Sequence, residues 1–299
     1  MTTLTAHAYA KINLTLDVGV RRTDGYHEVR SVMQTIGLHD TLSVTRTPDI
    51  LGVTLEVAGA EAAGVPTDES NIVHKAAVRL QKIAAARNVF PAGQSGLHIH
   101  LHKRIPSQAG LGGGSSDAAA ALLLVDRLFG LNLSEARLCE IGAALGADVP
   151  FFLVGGTALA EGLGERITPL PPLAPSWPLI VVKPAAGVST PVAYAALDAW
   201  TDRPHRQATR QWLAGTQTLH NDFEAVALGA YPEIAAAHTL LSKTAADAES
   251  FKPLLCGSGA ALFVRASSLA AAEQIRVAVR TAGIGMVWVT ETVEAKRSE

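Results

Sequence analysis

From Lys11 to Val20 the chain alternates between polar and apolar side chains. Ile12, Leu14, Leu16, Val18 and Val20 point one way; Lys11, Asn13, Thr15 and Asp17 point the other, which predicts a strand with one apolar and one polar face. Thr23-Asp24-Gly25-Tyr26 supplies turn chemistry before a second extended run, Glu28 to Ile36. Further strands are expected at Thr41 to Arg46, Val53 to Val57 and Leu97 to His102, and a helix over Asn71 to Ala86. A glycine-rich loop beginning near Arg104 precedes an Ala/Leu-rich helix that ends about Phe129. Ser134 has the chemistry of an N-cap for a helix stopping near Gly146, and Ala147-Asp148-Val149-Pro150 cannot extend it, because proline disfavours helical geometry in its predecessor.

The second half mixes the two periods again. Strands are expected at Leu179 to Val182, Ala261 to Val264 and Met286 to Thr290, with helices over Pro191 to Trp200, Glu233 to Ala246 and Ser268 to Thr281. The weakest connections expected are Pro169 to Pro178, with five prolines, and the polar stretch Thr201 to Gln211. Strands and helices without regular βαβ alternation point to an α+β architecture.

Composition narrows the function classes. With 299 residues, 48% hydrophobic and 17% charged, the chain can bury a substantial core in one large domain or two closely joined ones. A formal charge of −2 gives no general field for DNA or RNA, so an anionic ligand must be held by local geometry. Cys139 and Cys256 lie far apart without a CxxC partner, which argues against a disulfide framework or a zinc site and fits a reducing compartment. The first thirteen residues hold no signal-peptide core, and the apolar run Ala118 to Val125 is far short of a membrane span, so a cytoplasmic protein is expected. His98, His100 and His102 alternate with Leu97, Ile99 and Leu101 and lack a nearby fourth ligand; they read as a polar sheet face, not a metal site.

The strongest chemical signal is Pro106-Ser107-Gln108-Ala109-Gly110-Leu111-Gly112-Gly113-Gly114-Ser115-Ser116 at the start of a helix. Glycines reach positive φ and bring their N–H groups close to a ligand. Such a run of amides forms an anion nest, and the helix N-terminus behind it adds partial positive charge. Two serine hydroxyls at the helix start can meet phosphate oxygens or a magnesium ion. No Lys-Ser/Thr follows the glycines, so this is not a Walker loop. Seven residues separate His102 from Gly110, which is too long for a dinucleotide-binding turn. A mere surface turn or helix-packing contact is the plain alternative, but four glycines in five positions cost backbone entropy that packing seldom requires.

Pro106 to Ala119 resembles the phosphate-binding motif of the GHMP kinase superfamily, which includes galactokinase, homoserine kinase, mevalonate kinase and phosphomevalonate kinase. Ala10-Lys11-Ile12-Asn13-Leu14 and Gly257-Ser258-Gly259-Ala260 resemble its other two motifs. Within that group the chain is similar to the diphosphocytidyl-methylerythritol kinase family, through Lys11 to Leu16, Arg22-x-Asp24-Gly25-Tyr26-His27, and Gly146-Ala147-Asp148-Val149-Pro150-Phe151-Phe152. The resemblance implies an N-terminal domain like the second domain of ribosomal protein S5 and a ferredoxin-like C-terminal domain. Residues 1–158, completed by a C-terminal strand within 284–299, would form the first domain, and 159–283 the second.

It also implies ATP as co-substrate with Mg2+, a small cytidine diphosphate substrate, and a monomer or weak homodimer without nucleic-acid or membrane partners. Asp148 matches the catalytic aspartate and Lys11 its partner lysine. The glycine loop, with Lys103 and Asn71, would bind ATP; Asn13, Tyr26, His27, Thr190 and Tyr194 would bind the substrate, the last where many members carry Phe. Metal ligands stay open. Two departures stand out: Cys256 precedes Gly257 where Ser or Thr is common, and Ser107-Gln108-Ala109 is more polar than the usual glycine-rich version.

Each residue also has an ordinary reading: Lys11 and Asn13 as a solvated strand face, Asp148 as a turn aspartate, Tyr26 and His27 as polar surface. Other superfamily reactions, on mevalonate, homoserine or a sugar, would leave Tyr26 and His27 without a base to contact. A nucleotide-binding regulator without catalysis should have lost Lys11 or Asp148. An RNA-binding role suggested by the S5-like fold lacks a basic stripe.

Overall fold

The computed structural model describes residues 2–47, 52–90, 96–216, 218–244 and 252–294. In chain order the elements are β1 (Thr3–Arg21), β2 (His27–Arg46), β3 (Val53–Ala58), α1 (Ile72–Ala86), β4 (Leu97–His102), α2 (Gly113–Phe129), α3 (Glu135–Ala143), α4 (Val149–Val154), β5 (Thr157–Glu161) and β6 (Arg166–Pro169). Then follow β7 (Pro178–Pro184), α5 (Thr190–Asp198), α6 (Ala208–Leu213), β8 (His220–Asn221), α7 (Glu224–Ala230), α8 (Pro232–Thr244), β9 (Leu254–Leu255), β10 (Leu262–Arg265), α9 (Leu269–Thr281) and β11 (Gly285–Glu291). The expected helix over Glu233 to Ala246 runs past the described residues at its end, as does the C-terminal stretch beyond 294.

Two sheets organise these elements. The first runs β3-β4-β2-β1-β8, with β5 on β2 beside β4 and β6 on β5. Its long hairpin β1–β2 is antiparallel, with register shifts near Ala10, Asn13 and Val18. Alternation on β4 sends Leu97, Ile99 and Leu101 into a core with Leu42, Val44 and the apolar faces of α1, α2 and α3. The opposite face of β4, with His98, His100 and His102, stays at the surface. Ala118 to Ala121 are buried on α2, so small side chains let that helix lie close to the sheet.

The second sheet is antiparallel, in the order β11-β7-β10-β9. With helices between β7 and β9 and between β10 and β11, this is the ferredoxin-like βαββαβ arrangement that the family resemblance implies. β7 is apolar from Leu179 to Val182 because both faces are covered there. Ile180 and Val182 pack with Ile234, Leu241, Ile275 and Val279 of α8 and α9. Leu179 and Val181 pack with Ala10, Ile12 and Leu14 of β1 and with Ile105 and Leu111 of the glycine loop. The second sheet thus rests its other face on the strand and loop that carry the chemistry.

Several expectations are corrected. The 158/159 boundary falls inside β5, which pairs with β2 in the first sheet, so the chain leaves that sheet only after β6. β11 joins β7 in the second sheet; among the described residues the segment just after it meets the first sheet through the bridge Ile36 to Thr292 and the Val293 amide, which donates to Thr35 O. Thr201 to Gln211 is no loose linker. Asp17 accepts from the amides of Ala208 and Thr209, Thr209 is buried against Thr15, and Arg203 donates to Val18 O. Val20, within the last register shift, is exposed, whereas Lys11, Asn13 and Thr15 are buried: the polar face of β1 is an interior polar face.

Candidate active site

The three motifs meet at one point. Lys11 donates its amide to Leu111 O, and the amides of Ala260 and Ala261 donate to Gln108 O and Ala109 O, so the glycine loop is laced to both other motifs. Gly110 and Gly112 sit at φ 74° and 73°, a region costly for other residues. The contacts are equally demanding. A Cβ on Gly110 would lie 1.9 Å from Cys256 O, and one on Gly112 would lie 2.6 Å from the Phe152 ring and 3.2 Å from Lys11 Cγ. Behind the loop, α2 points its N-terminus at the same space, with Gly112 in the cap position.

Lys11 is buried, and its ammonium donates to Asn13 Oδ1 at 2.8 Å. Asn13 is fixed from three sides: its Nδ2 donates to Ser31 Oγ, Ser31 Oγ donates to Thr15 O, and Asn13 Oδ1 also accepts from the Gly257 amide. Asp148 stands at the start of α4, where its side chain makes no capping bond, and its Oδ2 lies 3.6 Å from Lys11 Nζ. Pro150 in the first turn of α4 explains why this short helix starts anew after α3.

Two adjoining cavities surround this pair. One, of about 490 Å3, is lined by Lys11, Asn13, Asp148 and the loop from Pro106 to Ser115. The other, of about 700 Å3, is lined by Tyr26, His27, Thr190, Tyr194 and Asp198. Asp148, Leu163, Thr190 and Tyr194 border both. Thr190 Oγ1 is 3.0 Å from Ser258 Oγ. Tyr26 is exposed, while His27 is buried and stacks on Tyr194 with centroids 4.8 Å apart, so one face of Tyr194 is already covered by His27. Burial, and secondarily the charge of Asp148, pushes the Tyr194 phenol up to about 12, which keeps it a hydrogen-bond donor at neutral pH.

Two expected nucleotide contacts, Asn71 and Ser116, lie outside the cavity lining, and a third, Lys103, lies in it with its ammonium already paired. Asn71 caps α1, accepting from the Val73 amide and donating to Pro66 O, and the residue of that segment lining the cavity is Ile72. Ser116 is buried in the first turn of α2 outside the cavity lining, which leaves Ser115 as the lining member of that helix-start pair. Lys103 borders the cavity, but its ammonium is engaged by Asp40 and, at 2.6 Å, by Asp117.

Asp40 also accepts from the amides of Arg104 and Ile105, whereas Asp117 Oδ1 has no hydrogen-bond partner among the described residues. Burial therefore pushes the Asp117 carboxyl well above the usual carboxylate range, against the pull of Lys103. For Lys103, burial works against the charge, but Asp117 and Asp40 together outweigh it and hold its pKa above the ordinary value. This cluster positions the loop.

The departure at Cys256 is harmless to the cavity. Its side chain is fully buried away from the lining, and burial, partly offset by Lys11, pushes the thiol up to about 12. Sequence reasoning missed Asp198, which bonds His27, and Asn221, which donates to Leu255 O and Gly257 O and holds the third motif in place. A helical-face count from Thr190 through Tyr194 reaches Asp198 at the same spacing and could have found it. Asn221 stands in a two-residue strand with no pattern to mark it.

Among the described residues no cluster of three or more His, Cys, Asp or Glu could form a metal cage, and no helix is long and apolar enough to cross a membrane. Magnesium needs no such cage, since it keeps waters and is held by one or two protein oxygens plus phosphates. The Ser115 hydroxyl in the cavity lining fits that requirement.

Residues 71–156 match the family described as GHMP kinases N terminal domain. A 4-diphosphocytidyl-2-C-methyl-D-erythritol kinase from Moorella thermoacetica is 43% identical over 274 residues, covering 88% of this chain and 90% of that relative. The enzyme of the same name from Pelotomaculum thermopropionicum is 40% identical, covering 93% and 94%. The crystal structure of a 4-(cytidine 5'-diphospho)-2C-methyl-D-erythritol kinase superposes with a TM-score of 0.76 at 32% identity, covering 97% of this chain and 99% of that one. With its three motifs joined at one cavity and this likeness running over nearly its whole length, the chain belongs to the 4-diphosphocytidyl-2-C-methyl-D-erythritol kinase family of the GHMP superfamily.

Proposed function

We propose that this protein transfers the γ-phosphate of ATP to the 2-hydroxyl of 4-diphosphocytidyl-2-C-methyl-D-erythritol, giving the 2-phosphate and ADP, in the non-mevalonate route to isoprenoid precursors. The observation that carries this reading is the Lys11–Asp148 pair at the junction of two cavities. One has the amide-rich lining suited to phosphates; the other is walled by Tyr26, His27 and Tyr194, suited to a base.

In this reading the loop from Pro106 to Ser115 and the N-terminus of α2 bind the triphosphate. Asp148 orients the substrate hydroxyl and accepts its proton, while the new P–O bond forms and the bond to the β-phosphate oxygen breaks. Aspartate, with an ordinary pKa of about 3.9, is a weak base for an alcohol. The loose transition state of phosphoryl transfer needs little early deprotonation, so a late proton acceptor suffices. The Lys11 ammonium, held by Asn13, offsets charge gathering between attacking oxygen and phosphoryl group. Magnesium bound with ATP, through the Ser115 hydroxyl, would supply further neutralisation of the phosphate oxygens. Lys103 and Asn71 act on ATP indirectly, by shaping the loop and the start of α1.

A coupled ADP-release assay comparing diphosphocytidyl-methylerythritol with mevalonate and homoserine tests the assignment. Turnover of the cytidine substrate alone is expected; turnover of mevalonate or homoserine in its place overturns it.

A further inference from the structure

His27 opens β2 and lines the larger cavity, where its orientation is fixed twice. Its ring stacks on Tyr194 at an interplanar angle of 26°, and Tyr194 in turn meets Phe223 edge-on at 4.9 Å, which sets the plane. Its Nε2 lies 2.7 Å from Asp198 Oδ1, which sets the rotation within that plane. Asp198 ends α5, two helical steps of four from Thr190 and one from Tyr194, so one helix face delivers all three to the cavity. Its second oxygen lies 4.0 Å from Arg21 Nε.

An ionised carboxylate can only accept, so the proton between Asp198 and His27 belongs to Nε2. In neutral imidazole the other nitrogen is then a bare acceptor, because the bond made by one nitrogen determines the state of the other. Nδ1 makes no hydrogen bond to any described residue. The cavity wall therefore holds an oriented imidazole whose Nδ1 is an acceptor, its tautomer dictated by a carboxylate on another element.

We propose that Asp198 is a specificity-setting positioning residue: by accepting the Nε2–H it keeps Nδ1 of His27 an acceptor, so that the cavity selects a base bearing an exocyclic amino group. Cytosine offers such a donor where uracil offers a carbonyl oxygen, and a carbonyl opposite Nδ1 places two acceptors face to face. The proposal rests on the cytidine reading of this cavity and adds the means by which it distinguishes cytidine from uridine.

The test compares kcat/KM for the cytidine substrate and for its uridine counterpart, made by deamination, at pH 8 in wild type, Asp198→Asn and Asp198→Glu. The asparagine side chain has the same shape but can either accept from or donate to Nε2, so it no longer dictates the tautomer. The cytidine-to-uridine ratio is expected to fall by about fivefold or more in Asp198→Asn, the scale of one hydrogen bond. KM for ATP should not change, and Asp198→Glu should recover most of the ratio. An unchanged ratio in Asp198→Asn, or an equal loss for both substrates, overturns the proposal and leaves the kinase reading intact. Wild type that phosphorylates neither substrate overturns both.

Discussion

The Lys11 ammonium lies 3.6 Å from Asp148 Oδ2, near enough to feel its charge yet too far for a hydrogen bond, because Asn13 Oδ1 holds it at 2.8 Å. The carboxylate therefore keeps its lone pairs for a substrate hydroxyl, while the ammonium stays fixed beside the path of the phosphoryl group. Asp148→Asn preserves shape and removes the proton acceptor, so kcat should fall by about 10²–10⁴ with ATP affinity nearly intact. Lys11→Met should lower kcat by about 10²–10³ by removing the preorganised charge. Single-turnover kinetics with separate measurement of ATP binding checks both; wild-type turnover in Asp148→Asn removes that residue from its role.

The loop glycines are not equivalent. Gly112 at φ 73° has Phe152 and Lys11 where a Cβ would go, whereas a Cβ on Gly114 meets nothing nearer than Ile72 Cγ2 at 3.9 Å. Gly112→Ala should therefore displace the Lys11 side chain and raise KM for ATP while lowering kcat. Gly114→Ala lies inside α2 and should hold or raise the melting temperature, with a gain of at most about 1 kcal/mol from helix propensity. Melting curves and ATP titrations on the two variants should diverge in that direction. Equal behaviour would mean that the close approach at Gly112 is not what the loop depends on.

What the sequence made legible follows from how local each signal is. The glycine loop and its helix, the alternation of Leu97 to His102, and the cap at Ser134 are set by neighbouring residues, and they stand where the pattern puts them. Gly37 and His39 interrupt the alternation of β2, so the pattern predicts two strands; the chain joins them with a register shift opposite Tyr9 and Ala10. The choice of sheet for β11 has no local signal, since both sheets offer an edge and only packing decides. Asp198 meets His27 across 171 residues and Asn13 meets Gly257 across 244, so those links exist only after folding. The reading of Asn71 as a nucleotide ligand passed over the plainer sign, an Asn immediately before a helical run.

Lys103 tests whether the loop is held by a buried charge cluster. Lys103→Met removes the cation from Asp117, whose Oδ1 already has no hydrogen-bond partner among the described residues. Removing one partner of such a buried pair should cost about 3–5 kcal/mol in urea unfolding. Adding Asp117→Leu to that variant should recover a large part of the loss, because Asp40 retains the amides of Arg104 and Ile105. If Lys103 instead served chiefly as a nucleotide ligand, Lys103→Met would raise KM for ATP without lowering stability, and the second substitution would recover nothing.

Glu224 gives the fold a pH dependence of its own. It opens α7 and its Oε1 accepts from the Leu255 amide at 3.2 Å, joining that helix to β9. Burial pushes its carboxyl from 4.5 up to about 6, against smaller opposing pulls from the Leu255 amide, His220 and Lys252. A raised carboxyl means that the native state binds more protons than the unfolded chain between those two values. Its contribution is therefore complete below about 4.5 and is lost as pH rises through about 6, a change of about 2 kcal/mol. Burial lowers the pKa of His7 and His238, so those groups titrate with the opposite sign, and the raw stability profile mixes the effects. The difference between wild type and Glu224→Gln isolates the carboxyl, because glutamine keeps the acceptor for Leu255 and cannot ionise. Urea unfolding should give nearly equal stabilities at pH 4.5 and a more stable Glu224→Gln variant at pH 7.5, by up to about 2 kcal/mol. A difference that does not vary with pH would show that Glu224 ionises in the folded protein as readily as in the unfolded chain.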